Sequence, residues 1–208
     1  EPVSSRSSTV KPLTVRNFSN FSSTFGAKKI LKNGLSTTIN LSYSTRSPNA
    51  SELFSDGLHH SLATIELGDL RMKQEKGLKL LLALEKSNDR LNYSLTLYNS
   101  KIKNFIILQP TVDGFDLTRR GAFLKRKYRG IPIVHMRGFD FDFGVNFSPT
   151  IVFKSSSSFL EAFEGDGTPL VDMPPFNLRN QLDFTVFKSN PLLIRISTEF
   201  AARQNNFP

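Results

Sequence analysis

The sequence contains no cysteine and no tryptophan. Without Cys, neither a disulfide framework nor a thiolate metal site can form. Apolar residues make up 38%, below the roughly 45–50% of ordinary globular chains, although that reference also counts Gly. No run approaches the ~18 apolar residues that a membrane-crossing helix needs. The opening EPVSSRSSTVKPL has no signal-peptide core, so the expectation is a removed leader or an internal piece of a longer chain. Gly-x-Ser-x-Gly, a Gly-rich phosphate loop and His-Glu-x-x-His are all missing, and no enzyme activity is expected.

Phenylalanine, by contrast, is abundant, with 19 copies against 4 Tyr. A chain poor in total apolar residues yet rich in Phe suits a thin apolar band laid on one face of many strands. The net charge of +9 raises nucleic acid as a partner. However, the densest basic cluster, Lys125, Arg126, Lys127 and Arg129, interrupts a region with little periodicity, whereas a nucleic-acid footprint wants basic and aromatic residues interleaved on one face, so nucleic acid is not expected. That cluster reads as a solvated loop, or as a loop facing the phosphates of outer-leaflet lipopolysaccharide.

Period-two alternation dominates. Phe139, Phe141, Phe143, Val145 and Phe147 share one face, and Asp140, Asp142, Gly144, Asn146 and Ser148 the other. Inward carboxylates are costly in a dry core and unremarkable in a wet lumen, which favours lipid outside and water inside. The same alternation runs through Leu35–Tyr43, Leu78–Leu84, Leu91–Leu97, Phe176–Val186 and Leu192–Phe200. Strands are expected near 17–29, 35–47, 77–87, 91–107, 135–148, 150–164, 176–188 and 192–204. Tight turns join them in pairs at Asn33-Gly34, Asn88-Asp89-Arg90, Ser148-Pro149 and Ser189-Asn190-Pro191. Long segments at 48–76, 108–134 and 165–175 separate the hairpins. The expected fold is an all-β, antiparallel transmembrane β-barrel segment of about eight strands as four hairpins, with short periplasmic turns and long extracellular loops. No helix is expected.

Several stretches add a family resemblance. Arg46-Ser-Pro…Glu52-Leu53-Phe54, Gly57-Leu-His59, Glu66-Leu67-Gly68-Asp69 and Met72-Lys73-Gln74-Glu75 occur in order before the third strand. Tyr98-Asn-Ser-Lys-Ile102-Lys-Asn-Phe105-Ile106, Gly138-Phe139-Asp140 and Pro169-Leu170…Met173-Pro174-Pro175 follow. Together these resemble the barrel of TonB-dependent outer-membrane receptors, with Met72 where that pattern carries Leu. The resemblance implies TonB-energised uptake of a scarce solute at the bacterial outer membrane, with outer-membrane lipids and the TonB complex as partners. It also implies that residues 1–208 are a partial barrel of roughly 22 strands, lacking the plug domain and closing strands. Eight such strands would leave two unpaired edges, so the fragment is not expected to fold alone.

His59 and His60, with Glu52, Asp56, Glu66 and Asp69, form the one cluster with metal-ligating potential, since imidazole and carboxylate suit zinc, nickel or iron. Their wording resembles the zinc-acquisition branch of the family. No intrinsic cofactor is expected; the transported solute would be zinc, an iron chelate or haem. The alternative is that Glu52, Gly57 and Gly68 fold the loop and the histidines are solvated. Asp140, Asp142, Arg179, Asp183, Arg195, Glu199 and Arg203 are expected to line the lumen, pairing across strands or touching the plug. Phe139, Phe141, Phe143, Phe147, Phe176 and Phe184 are expected to face lipid. Two other readings compete: a passive porin-like or structural barrel, and a soluble secreted β-sandwich that binds carbohydrate.

Overall fold

The computed structural model describes residues 15–118, 121–170, 172–187 and 191–204. Among these, ten strands form one sheet. Eight of them follow one another as an antiparallel meander: β1 (Ser22–Ile30), β2 (Leu35–Arg46), β5 (Glu75–Ser87), β6 (Leu91–Thr118), β7 (Gly121–Ser148), β8 (Ile151–Glu164), β9 (Asn177–Val186) and β10 (Leu192–Ala201). The remaining two, β3 (Asp56–His59) and β4 (Thr64–Leu67), belong to the segment between β2 and β5. The sheet does not close on itself, since β1 and β10 end the order.

The turn chemistry is as expected. Asn33 and Gly34 carry φ of 60° and 71°, the left-handed region those residues tolerate. The Asn88 side chain accepts from the backbone amides of Arg90 (3.0 Å) and Leu91 (2.7 Å), building the β5–β6 turn. The Ser148 hydroxyl accepts from Thr150 N at 3.2 Å. The Ser189-Asn190 turn lies outside the described residues.

Three expectations need correction. Residues 108–118 and 121–134 are not a loop. They are the outer halves of β6 and β7, which pair from Phe105↔Ile131 to Thr118↔Gly121 with a shift between Pro110 and Phe115. Lys125, Arg126, Lys127 and Arg129 therefore sit on a strand; four cations in five residues had masked the alternation. Secondly, the 48–76 segment contains a helix, α1 (Ala50–Phe54). Finally, that segment adds a parallel pairing, Thr64↔Leu124 to Leu67↔Lys127. Over those residues one edge of β7 is taken by β6, so β4 occupies the edge that β8 fills from Val134 onward.

Two small cores lie where these segments fold back. Leu53, Met72 and Ile106 are buried together beside Phe18, Leu70 and Tyr128. Ile131, Val134, Ala162 and Leu170 form the other, where Leu170 N donates to Ala162 O at 2.9 Å.

Candidate functional site

The wall of the sheet has two chemically distinct faces, fixed by register. One row runs Ser36–Glu85–Ser94–Asp142–Ser156–Arg179–Glu199 through seven consecutive strands of the meander. The neighbouring row on the opposite face runs Thr37–Leu84–Leu95–Phe141–Ser157–Leu178–Phe200. On that apolar face Phe139 lies 6.0 Å from Phe159 and 6.5 Å from Phe176, and Phe143 lies 6.3 Å from Phe141 and 6.4 Å from Phe153. Phe184 stands opposite Ile194 and Ile151. Phe147 is exposed at the irregularity between Asn146 and Ser148. The apolar face is interrupted at Ser155, Asn180 and Thr198, where the Ser155 hydroxyl donates to Asn180 Oδ1 at 2.8 Å.

The polar face carries cross-strand ion pairs. Arg195 meets Asp183 through two hydrogen bonds of 2.8 and 3.1 Å. Arg179 meets Glu199 at 2.9 Å, and Lys28 meets Glu85 at 3.0 Å. Asp140 and Asp142 are exposed and have no ion-pair partner among the described residues. Arg203 is exposed and lies beyond the end of β10. A recess of about 600 Å³ on this wall is lined by Asp142, Lys154, Ser156, Arg179 and Gln181, among others. Tyr98 locks the wall above it. Its ring lies over Gly138 on β7 and its hydroxyl donates to Phe159 O on β8 at 3.2 Å. A Cβ at position 138 would sit 2.2 Å from that same carbonyl.

Above the wall stands a cap built from residues 47–74 and the outer halves of β6 and β7. Its hub is Glu52, which is buried. Asn49 and Glu52 form a capping box: Glu52 N donates to Asn49 Oδ1 and Asn49 N to Glu52 Oε2, both at 2.8 Å. Arg46 bridges Glu52 (2.9 Å) and Glu75 (2.6 Å). Glu75 in turn accepts from Ile106 N at 2.7 Å, where β6 runs on beyond its pairing with β5. Gly68 lies against the α1 backbone, where a Cβ would meet Leu53 C and O and Phe54 N at 2.6–2.8 Å. Beside it Asp69 N donates to Glu52 O at 2.9 Å. Partial burial pushes the Asp69 carboxyl up, but the Arg71 backbone amide and guanidinium outweigh it and hold the group below its ordinary value. Glu66 is buried with Tyr128 Oη 3.5 Å away. Burial first, then the Glu66 and Glu52 carboxylates, push that phenol up in the projecting half of β7.

The six candidate ligands therefore divide. Glu52, Glu66 and Asp69 hold the cap together, while His59 and His60 are exposed at the β3–β4 turn, with His59 Nδ1 3.1 Å from Ser61 Oγ. Asp56 opens β3 opposite Leu67. No group of three or more His, Asp or Glu able to hold a metal stands together among the described residues. Sequence reasoning missed the Arg46–Glu52–Glu75 bridge and the β4–β7 pairing. The helix had a readable signal, since Asn49-x-x-Glu52 followed by Leu53-Phe54 is a capping box before apolar residues.

Residues 3–205 match the family described as TonB dependent receptor-like, beta-barrel. Among solved structures, the copper transporter OprC is 17% identical with a TM-score of 0.64, over 78% of this chain and 24% of that one. The siderophore receptor PirA from Acinetobacter baumannii is 14% identical with a TM-score of 0.58, over 86% and 33%. The FrpB iron transporter from Neisseria meningitidis is 14% identical with a TM-score of 0.59, over 86% and 26%. At these identities the likeness is one of fold, and the chain spans a quarter to a third of each protein's length.

Proposed function

Since the chain belongs to the TonB-dependent receptor β-barrel family, we propose that it supplies barrel wall and extracellular cap to a bacterial outer-membrane receptor that imports a scarce solute. The two-faced wall carries this reading. The apolar row faces lipid and the polar row faces the lumen, because every strand in lipid must pair its backbone while keeping charge away from hydrocarbon. The height fits: Lys76 and Lys86 bracket Leu78–Leu84 on β5. At roughly 3.3 Å per residue and a tilt of about 40°, the span from one lysine to the other rises about 25 Å, the height of an apolar band. The exposed Asp140 and Asp142 are suited to receive the donors of a plug inside the lumen. Coupling to TonB through such a plug follows from the family.

The solute is an anionic chelate. Lys125, Arg126 and Lys127 concentrate positive charge on the projecting half of β7, while Arg129 is held by Glu164 at 2.6 Å, and charge of one sign raises the local concentration of a ligand of the other. Capture of bare zinc would rest on His59 and His60 alone, with the neighbouring carboxylates already engaged. Calorimetric titration of the full-length protein in detergent separates these readings. Binding of ferric chelates or haem that weakens in Lys125→Gln/Lys127→Gln supports the anionic solute. Zinc binding that disappears in His59→Ala/His60→Ala, with no chelate binding, would instead make the β3–β4 turn a metal-ion capture site.

A further inference from the structure

At the upper edge of the apolar band, β5, β6 and β7 change character at the same level. Leu78, Leu80 and Leu97 are exposed apolar residues; the residues that continue their face are Lys76 on β5 and Lys101 and Lys103 on β6. Lys76 stands directly opposite Lys103, and Lys101 opposite Leu78. Directly opposed side chains have Cβ atoms only about 5 Å apart, so like charges there repel. All three lysines are exposed, and none has an ion-pair partner among the described residues. Glu75, next to Lys76 in sequence, is engaged by Arg46 at 2.6 Å, and Glu161 on β8 by Arg137. His135, opposite Lys101 on β7, is exposed and adds no negative charge. Three crowded ammoniums with nothing between them call for an anion.

We propose that Lys76, Lys101 and Lys103 form a binding site for the phosphate groups of an outer-leaflet glycolipid. The inference rests on the lipid-facing assignment of this wall. The source of the phosphate is a lipid rather than free phosphate because the leucines immediately below offer an acyl chain a surface continuous with the cations. An amphiphile laid on β5 and β6 meets both at once, while inorganic phosphate gains only the charges.

The test uses the full-length protein in nanodiscs and detergent. Native mass spectrometry compares retention of diphosphoryl lipid A and its dephosphorylated form by wild type, Lys76→Gln/Lys101→Gln/Lys103→Gln, and a Lys86→Gln control at the other end of the band. At roughly fivefold per lysine, the triple variant retains the diphosphoryl lipid on the order of a hundredfold less well, while the dephosphorylated lipid and the control are unchanged. Equal retention by the triple variant overturns the proposal, as does displacement by millimolar inorganic phosphate without preference for the lipid. A bimane label at Leu82→Cys, in a stretch with no cysteine of its own, checks the underlying assignment separately. Quenching by doxyl-labelled lipid keeps the wall in lipid whatever the mass spectra give, and its absence removes the premise.

Discussion

The wall and the cap are both β-rich, but they are held together by different physics. In the wall, each strand pairs with its neighbour over ten or so rungs, and no single side chain decides the outcome. The ladder is redundant, and its ion pairs are spread over an open polar face. Within the cap, residues 47–74 have little ladder of their own. The cap depends on a few residues that reach across long stretches of chain: Arg46 to Glu75, Gly68 against Leu53, Glu66 beneath Tyr128, and β4 against β7. Redundant pairing tolerates substitution, whereas a hub does not, and the difference can be pushed until it fails.

The harshest probe is a pair of alanines. Gly138→Ala drives a methyl to within 2.2 Å of the Phe159 carbonyl, and overpacking of this kind costs about 3 kcal/mol. It should cost the wall its resistance to unheated SDS, read as a shift in gel migration. Gly68→Ala crowds backbone just as badly, yet should leave that resistance intact and instead admit protease between residues 47 and 74. If both variants lose SDS resistance, cap and wall are one cooperative unit. Glu52→Ala comes next. It removes the capping box and leaves Arg46 with Glu75 alone, at a cost of about 2–3 kcal/mol. The expected readout is faster cleavage of the cap with unchanged migration of the barrel.

In the wall, the Arg195–Asp183 pair should contribute under about 1 kcal/mol in a double-mutant cycle, because the Arg195 end is half exposed on the open polar face. A larger coupling would mean that this lumen is drier than its polar face implies. The smallest effect concerns acid. Asp69 titrates below its ordinary value of 3.8, so its ionised form is the one the cap favours. That contribution is complete above the ordinary value and fades as pH falls through the depressed one. Hydrogen-exchange protection factors around residues 68–72 should fall below about pH 4 in wild type and be nearly pH-independent in Asp69→Asn.

The same contrast explains what could be read from the sequence. Alternation made all eight wall strands visible, six near their observed bounds and β6 and β7 only in their inner halves, because a residue such as Phe141 takes its face from period two alone. Asp183 and Arg195 could be placed on the polar face for the same reason, though their pairing needed the register. The cap was opaque. Glu52, Glu66 and Asp69 are good metal ligands by residue type, and only the fold shows that Arg46, Tyr128 and Arg71 stand beside them. The outer half of β7 was hidden for another reason. Its cations answer to a solvent-exposed projection, so the hydrophobic period that marks a strand is absent from Lys125 to Arg129.

The pairing of β4 also sets an order of assembly. Its edge partner, Leu124–Lys127, comes later in the chain and is itself held in place by β6. β4 thus has no edge to pair with until the β6–β7 hairpin stands, and contacts so distant in sequence form slowly. A nascent chain therefore leaves the β4 edge unpaired until its neighbouring strands are laid down. A closed cap then certifies that the wall beneath it has been built in the right order.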